Sequence, residues 1–511
     1  MASTPAEAKL YLIHMDQKLK ARNPQIQLWE NYYEGIHRLQ FATSRFRATF
    51  GNLFREFADN WCELIVDASV ERLIINGFRS GTGADEADEE ATRIWQDNYL
   101  DADCRMAHTE AVKLGHAYIL VDPDGNKAYD TESPLITIEH PTQAIVLHDA
   151  ANPRLRVAGL KEWVDHQGRI LATVYLPDAT YRYEAEEKGH EEERGLAVSG
   201  LWTPTDYLNS PTTGAGNGIE WVPRKDAPFC TPNRLKVVSL IPLRNNPTLA
   251  VGGRSDIAVV IPVQDAVNKL VSDMMIASEF ASFAQRWATG LEVPRDPETG
   301  RALTDEQFLA SVGRVWVSEH PEAKFGQFEA TDLRNYVQAI EMLIQHIAAL
   351  TRTPPHYLLG QSGAFPSGDS LTATETGLVA KVKSKKTDFE GTWNETIRLA
   401  FRAAGDEAKA KDPVKTVWGD PEQRIRSQRI DGAIKLSTIG VPQQALFEEI
   451  GADPDTIKRW KAMKKAMGLD ENSTEFGIVP VTPEAPGAGP DGNGAQEKNV
   501  TEAVRVSRIQ N

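Results

Sequence analysis

Within residues 332–402, hydrophobic residues recur with a helical period in two segments. An unpatterned segment lies between these two. A second apolar stripe (Tyr336, Ile340, Leu343, Ile347 and Leu350) lies beside the first, which consists of Leu333, Val337, Ile340, Ile344 and Ile347. This spacing predicts a helix over residues 332–352 whose apolar face is wide enough to pack against neighbours on two sides. A core helix of any large helical protein would show the same pattern.

A second helix is predicted over residues 372–404. Thr372 and Glu375 have the spacing of an N-terminal capping box. The apolar face of this helix is formed by Leu378, Val382, Phe389, Trp393, Ile397 and Phe401. Residues 353–371, between the two helices, follow neither a helical nor a strand period. Compact domains seldom contain an unpatterned loop of this length unless it has a function, so we expect this loop to be functional.

A third helical pattern covers residues 262–290. Its apolar stripe has alternating spacings of four and three residues and ends in alanines, after Val263, Val267, Leu270 and Met274. Such a heptad-like stripe predicts close packing against another helix. Residues 291–331 form a short mixed segment, with a small helix predicted at 304–311 and strands at 314–318 and 325–328.

The rest of the chain divides into helical and strand patterns. Helices are predicted at residues 5–23, 26–37, 60–73, 92–115, 421–429, 431–436, 442–450 and 453–467. A short strand is predicted at 74–78. Closely spaced period-two patterns with turn signals predict an antiparallel sheet, with strands at 117–121, 135–139, 144–147, 156–164, 170–176 and 180–183. The charged run 184–194 is expected to be a solvated hairpin or loop.

Composition narrows the function classes. The chain has 511 residues, enough for several domains, and a net charge of −16. This charge argues against broad nonspecific DNA binding, which requires Lys and Arg surfaces, but it is compatible with a surface that faces DNA and repels it. The three cysteines form no C-x-x-C pair, so we expect free thiols in a reducing compartment. We also expect a soluble protein, because no apolar run approaches the length of a membrane span.

Enzymatic motifs are absent from the sequence. The dipeptide Gly-Lys of a phosphate-binding P-loop does not occur, nor do H-E-x-x-H, C-x-x-C or G-x-S-x-G. His108 and His116 lie on a helical pattern and are interpreted as structural or surface residues rather than ligands. We therefore expect no enzymatic activity, no cofactor and no metal site.

One compact basic cluster stands out, formed by Lys381, Lys383, Lys385 and Lys386. On a helix these positions spread around much of the circumference. The favoured interpretation is a solvated face or a set of salt-bridge partners for another subunit. Contact with nucleic-acid phosphates is the alternative.

Three groups of motifs are similar to segments of one known family. The first is residues 60–67 (NWCELIVD), followed by ERL at 71–73 and NGF at 76–78. The second is IPLRNNP at 241–247 with GRSDI at 253–257, and the third is TPPHYLLG at 353–360 with SGDSL at 367–371. Their order, with the helical spacings between them, resembles the portal proteins of tailed bacteriophages, in the subgroup common among phages of actinobacteria.

The resemblance implies an α+β portal fold whose parts can be assigned along the chain. They are a wing with an antiparallel sheet (1–254), a first stem helix (255–290), an α/β clip (291–331), a second stem helix (332–352), a tunnel loop (353–371), a long kinked wing helix (372–404), a helical crown (405–470) and a disordered tail (471–511).

The resemblance also implies a function and partners. Portal proteins form a ring, usually of twelve subunits, at one vertex of the virion capsid, after assembly in the host cytoplasm. The ring nucleates head assembly and is the channel for packaging and ejecting double-stranded DNA. The implied partners are the terminase large subunit, head-completion or adaptor proteins, and the major capsid and scaffolding proteins, with no membrane.

Candidate residues follow from the same assignment. The DNA-facing candidates of the tunnel loop are His356, Tyr357, Gln361, Ser362, Phe365 and Ser367. The candidates for motor or adaptor docking in the clip are Arg295, Glu298, Arg301 and Glu306. The candidates for stem packing are Val263, Val267, Leu270, Met274, Leu333, Val337, Ile340, Ile344 and Ile347.

Elementary physics is compatible with such a ring. Closure of a ring is heterologous, so each subunit needs two different surfaces, and two wide apolar stripes could supply them. An acidic wall would let a polyanion slide, because it avoids the release of counterions that would hold DNA in place. Two other classes stay open: another head–tail structural protein, such as an adaptor or minor capsid protein, and an enzyme whose site has no recognised motif.

Overall fold

The computed structural model contains eleven α-helices within the residues that it describes, which are 3–37, 58–81, 87–124, 133–187, 219–249, 252–282, 286–290, 322–327, 332–359, 368–422, 426–452 and 454–466. The helices are α1 (Pro5–Tyr33), α2 (Cys62–Val70), α3 (Glu89–Asp97), α4 (Leu100–Leu114), α5 (Ile261–Ser282), α6 (Arg334–Thr351), α7 (Pro355–Leu358), α8 (Gly368–Ala404), α9 (Arg426–Thr438), α10 (Gln443–Glu449) and α11 (Pro454–Ala466).

Thirteen strands accompany these helices in the same described ranges, and together they confirm the α+β class. They are β1 (Ile75–Ser80), β2 (His116–Asp122), β3 (Leu135–Glu139), β4 (Ala144–His148), β5 (Arg156–Val164), β6 (Ile170–Tyr175), β7 (Ala179–Glu187), β8 (Ile219–Pro223), β9 (Cys230–Pro232), β10 (Leu240–Arg244), β11 (Arg286–Thr289), β12 (Lys324–Gln327) and β13 (Val414–Trp418).

The predicted antiparallel sheet is present as two sheets. A six-stranded sheet has the order β4-β5-β6-β7-β8, with β9 also paired to β7, and a three-stranded sheet has the order β10-β2-β3. Residues 184–194 were predicted as a solvated hairpin or loop. Glu184–Glu187 continue β7 and pair antiparallel with β8, which agrees with a hairpin and excludes a loop for these residues. Residues 188–194 lie outside the described part of the chain. Strands β8, β9 and β10 were not predicted.

Two distant parts of the chain pair in a two-stranded sheet. Strand β1, predicted at residues 74–78, lies antiparallel to β13, which was not predicted and follows the longest helix. Its partner could not be identified from local pattern, because pairing across more than three hundred residues leaves no local signal. This pairing joins the N-terminal helices to the segment that precedes α9.

The main hydrophobic core surrounds α8. All six residues of its predicted apolar face are fully buried. The indole N–H of Trp393 donates a hydrogen bond to Nε2 of buried His108 over 2.9 Å, and the rings of Trp95 and Trp393 meet edge to face at 5.3 Å. Burial lowers the pKa of His108 to about 3, so this histidine is a neutral core residue, as predicted.

The N-terminal helices were predicted with a break that does not exist. The expected helices at 5–23 and 26–37 are one helix, α1, which continues through Pro24. Leu19 and Ile26 are buried on either side of this proline, and the guanidinium of Arg22 bonds the backbone oxygens of Pro141 and Ala144. These tertiary contacts hold the helix together although proline removes one backbone hydrogen bond.

Two other helix predictions are also corrected: one predicted helix is divided into two, and two predicted helices are joined into one. The helix expected at 92–115 is divided into α3 and α4, because Tyr99 adopts a left-handed conformation with φ of 54°. The separate helices expected at 421–429 and 431–436 are instead the single helix α9. The helices expected at 442–450 and 453–467 correspond to α10 and α11.

The boundaries around the predicted tunnel loop also change. Residues 353–371 are not all irregular, since they contain α7 and the first residues of α8. Because α8 begins at Gly368, Thr372 and Glu375 lie inside the helix and do not form its capping box. The 37 residues of α8 correspond to a length of roughly 55 Å at 1.5 Å per residue.

The mixed segment between the stem helices is described only at its ends. Helix α5 ends at Ser282 rather than near residue 290, and β11 follows it. Strand β11 pairs antiparallel with β12, which confirms the strand predicted at 325–328 to within one residue. The predictions for 304–311 and 314–318 lie outside the described residues.

Candidate functional site

Helices α5 and α6 pack against each other and form a hydrophobic cluster of their own. Val267, Ile344 and Ile347 are buried in it, and Ile340 is nearly so. Val263, Leu270 and Met274 are half-buried against the same cluster. The structure thus brings seven of the nine stem candidates together within one chain. Ile65 of α2 and Leu358 of α7 complete the cluster.

The other two stem candidates lie elsewhere. Leu333 is the residue that precedes α6, and Val337 is 44% exposed near the beginning of that helix. Met342 and Leu350 are also about half exposed, on the part of α6 that α5 leaves uncovered. Of the predicted second stripe, Ile340 and Ile347 are buried and Leu350 is exposed, so only part of that stripe forms an exposed apolar surface.

The end of α6 leads directly to the predicted tunnel loop. Of its six candidates, His356 and Tyr357 lie in the short helix α7, where their rings meet edge to face at 4.7 Å. The Tyr357 hydroxyl donates to Glu375 of α8 over 3.1 Å. Gln361, Ser362, Phe365 and Ser367 lie outside the described residues, as do the clip candidates Arg295, Glu298, Arg301 and Glu306.

The basic cluster on α8 does not form the solvated face that we predicted. Lys385 is fully buried and Lys381 nearly so. Their ammonium groups lie 2.9 and 2.7 Å from the two carboxylate oxygens of Asp256, a buried residue just before α5. The interpretations of these two lysines as partners for another subunit or for DNA are therefore wrong, because both pair within the chain.

Asp256 is the centre of this buried network. The side-chain amides of Asn245 and Asn246 each donate to its Oδ1 over 2.8 Å, and Lys385 also bonds the side-chain oxygen of Asn245. Burial alone would raise the pKa of Asp256, but the charges of Lys381 and Lys385 outweigh it and hold the pKa far below its ordinary value. The network ties the segment just before α5 to α8.

The remaining two lysines differ from each other. Lys386 is buried, donates to the backbone oxygen of Gly419, and lies 5.8 Å from the centre of the Trp418 ring. Lys383 is exposed and pairs with Glu422 over 3.2 Å. Only Lys383 therefore fits the predicted solvated face. Nothing in the local sequence distinguishes Lys383. Lys381 and Lys385 are four residues apart and lie on one side of the helix, where both reach Asp256, but the tertiary partners decide which of the four lysines are buried.

A second charge cluster has donor atoms suited to a metal ion. Ligand atoms of Glu30, Glu110 and His140 all lie within 4.8 Å of one another. However, the ammonium of Lys113 lies 2.7 Å from Glu30 and 2.9 Å from Glu110, where it supplies the positive charge that the two carboxylates need. We interpret the group as an ion-pair cluster that joins α1, α4 and the turn after β3.

This cluster perturbs the titration of its members. Burial would raise the pKa of Glu30, but the hydrogen bond with His140 and the charge of Lys113 outweigh it and lower the pKa to about 2. Burial would lower the pKa of His140, but the hydrogen bonds and charges of Glu110 and Glu30 together raise it above the ordinary value of 6.5. His140 thus retains its proton to a higher pH than an exposed histidine does.

One cavity separates the C-terminal helices from the β1–β13 pair. Its volume is about 390 Å³, and its walls carry charges of both signs, including the ion pair between Arg79 and Glu448. Lys458 of α11 also pairs with Glu89 of α3 across it. Among the lining residues we find no histidine, cysteine or serine that could act as a nucleophile or base.

Sequence reasoning missed the buried polar residues that organise this region. Arg72 and Asp256 stood out only as members of motifs, and their ion-pair partners Glu375 and Lys385 lie 303 and 129 residues away along the chain. A charged residue within an apolar run was the one available signal.

In the described ranges, no helix is both long enough and apolar enough to cross a bilayer.

Comparison with known proteins identifies the family. The family model described as "Phage portal protein, SPP1 Gp6-like" matches residues 13–467. The portal protein of Mycobacterium phage D29 is 30% identical over 439 residues, which cover 83% of this chain and 82% of the relative. The portal protein of Mycobacterium phage L5 is 29% identical over the same extent. The resemblance found in the sequence is confirmed: this chain belongs to the SPP1 Gp6-like family of phage portal proteins.

Proposed function

We propose that the chain forms a closed ring at one vertex of a phage capsid and that double-stranded DNA passes through its centre during packaging and ejection. The observation that carries this proposal is the family match over residues 13–467, joined to the packed pair α5–α6. At one end of this pair the chain leaves for residues 291–331, the proposed clip. At the other end it leaves for residues 360–367, within the proposed tunnel loop.

The exposed apolar residues support subunit contacts along the stem. Met275 of α5 and Met342 and Leu350 of α6 are each about half exposed. Single exposed apolar residues are ordinary on a monomer, but several on one helix pair favour coverage by another copy. In a ring, one subunit's α6 would face the α5 of its neighbour, which is the heterologous contact that closure needs.

The charge distribution supports passage of DNA rather than its capture. The chain has a net charge of −16, and three lysines of the compact basic cluster pair or bond in the protein interior. A channel with few free cations would make few phosphate contacts, so DNA would not be held by counterion release.

The proposed partners follow from the family. The clip would dock the terminase large subunit during packaging and then head-completion or adaptor proteins, and the crown would face the capsid interior. Major capsid and scaffolding proteins would meet the wing during head assembly. We expect a structural role in the virion without enzymatic activity, and twelve subunits in the virion ring.

Two variants test the ring. Leu350→Asp places a charge in the proposed subunit contact and should convert rings to monomers, as measured by light scattering after gel filtration. Glu341→Asp, at an exposed position of the same helix, is the matched control and should leave rings intact. A wild-type protein that stays monomeric at high concentration, with no rings in procapsids, would overturn the proposal.

A deletion tests the loop. Removing residues 360–367 should leave rings intact and impair DNA packaging or retention, as measured by the DNA content of particles from complemented infections. Normal packaging by this variant would remove the tunnel role from the loop while leaving the ring in place.

A further inference from the structure

The guanidinium of Arg72 lies where three separate segments of the chain meet. Arg72 follows α2, and its side chain is only 4% exposed. Burying an arginine requires that its charge and its donors be satisfied by the protein. The identity of those partners therefore indicates what this residue holds together.

Each of the three segments supplies one partner. Nη2 donates to the hydroxyl oxygen of Tyr357 over 2.6 Å and lies 3.3 Å from Oε1 of Glu375. Nη1 donates to the backbone oxygen of Pro421 over 3.1 Å and to Glu375 over 3.4 Å. Tyr357 in turn donates to Glu375, which closes a triangle of side chains around the guanidinium.

These partners lie next to residues 360–367 and next to the beginning of the C-terminal helices. Tyr357 lies in α7, directly before residues 360–367, and Glu375 lies in the first turns of α8, directly after them. Pro421 lies between β13 and α9, where the C-terminal helices begin. One buried side chain therefore joins the segments on both sides of residues 360–367, within the proposed tunnel loop, to Pro421, a residue inside the proposed crown.

The chemistry of arginine suits this task better than that of lysine. A guanidinium offers five N–H donors in a planar fork, so it can bond partners in different directions at once. A lysine has one nitrogen and could keep the ion pair with Glu375 without reaching both Tyr357 and the Pro421 oxygen. The arrangement therefore predicts a graded response to Arg72→Lys and Arg72→Met.

We propose that Arg72 is a positioning residue that couples the segments on both sides of residues 360–367 of the tunnel loop to the crown segment at Pro421, so that a displacement of one is transmitted to the other. The functional part of this inference rests on the proposed role of residues 353–371 in the DNA channel. The mechanical part, the coupling itself, concerns the folded chain alone and can be tested without DNA.

Hydrogen–deuterium exchange of the full-length protein tests the coupling. In Arg72→Met, amide exchange should rise at least about tenfold both in residues 357–359 and in residues 419–422, because one charged group bonds both segments. The matched control is Arg156→Met, which removes another largely buried arginine, 10% exposed and paired with Glu395 over 2.6 Å. It should change exchange at both sites by less than about threefold.

Tyr357→Phe separates coupling from simple loss of packing. It deletes only a hydroxyl, and that hydroxyl bonds Arg72 and Glu375 rather than the backbone of Pro421. Coupling predicts faster exchange at residues 419–422 as well as at 357–359, and Arg72→Lys should fall between Arg72→Met and the wild type. A rise confined to residues 357–359 would overturn the coupling and leave Arg72 a local anchor.

A packaging assay then tests the functional part. Arg72→Lys and Tyr357→Phe should form rings like the wild type, yet particles carrying them should contain less DNA, whereas Arg156→Met particles should be filled normally. Coupled exchange together with normal DNA content would overturn the positioning role in DNA passage. Absence of rings in the wild type would instead overturn the proposed function, and the exchange result would stand independently of it.

Discussion

Replacing Asp256 by asparagine is the sharpest test of the buried charge network. The substitution preserves shape but removes the negative charge that lies 2.7 Å from Lys381 and 2.9 Å from Lys385. The Asp256 side chain is 3% exposed and that of Lys385 is 0% exposed, so water cannot replace the lost partner. Breaking a buried ion pair from one side typically costs about 3–5 kcal/mol, and we expect the free energy of unfolding to fall by that amount.

Urea denaturation measures this loss without adding the salt that would screen the charges. The matched control is Asp124→Asn, the same chemical change in a pair with Arg234 whose side chains are 52% and 60% exposed. That change should cost about 0–1 kcal/mol. Adding Lys385→Met to Asp256→Asn should recover part of the stability, because it removes one of the stranded charges. A loss below about 1 kcal/mol for Asp256→Asn would refute the reasoning.

Three further outcomes test packing and titration. Ile347→Ala should lower the free energy of unfolding by about 2–5 kcal/mol in urea, because it opens a cavity between α5 and α6, whereas Met342→Ala on the exposed side should cost less than about 1 kcal/mol. Trp393→Phe should cost about 1–3 kcal/mol by the same measurement, because buried Nε2 of His108 loses its donor. The pKa of His140 is raised above 6.5, so its charged form stabilises the fold at lower pH, and this contribution is lost as the pH rises through the raised pKa. His140→Gln should abolish that decline in urea midpoint.

Long amphipathic segments were predictable because their periods are local properties. The apolar face of α8 was correct at each of its six positions, since a regular stripe on a long helix must find a core. Strand β5 was predicted with its observed limits. The N-terminal ends of α5 and α6 were located to within a few residues, where Pro262 and Asp332 mark the starts.

Features decided by distant partners were not predictable. The continuation of α1 through Pro24 depends on Arg22 and on burial of flanking residues, and β13 depends on β1. The lysines of α8 carry the same charge and similar neighbours in sequence, yet Asp256 and Asn245 draw Lys385 inside while Lys383 stays exposed. The break between α3 and α4 requires Tyr99 to adopt the left-handed backbone conformation. Tyrosine seldom adopts this conformation, so no local rule predicts it there.

The family resemblance supplied what physical patterns could not. The periods indicated two long helices joined by a loop, and the absence of catalytic motifs argued against an enzyme. A ring, a channel and DNA came from the order of the motifs, which the family match over residues 13–467 has confirmed as a portal signature. The roles of individual loop and clip residues stay predictions.

A cryo-electron microscopy map of the purified full-length protein tests the central claim most directly. We predict a closed ring with a central hole, in which α5 and α6 of adjacent subunits line the stem and residues 360–367 approach the axis. A map showing a monomer, or a ring whose axis is lined by the six-stranded sheet instead of the stem helices and the loop, would contradict the account.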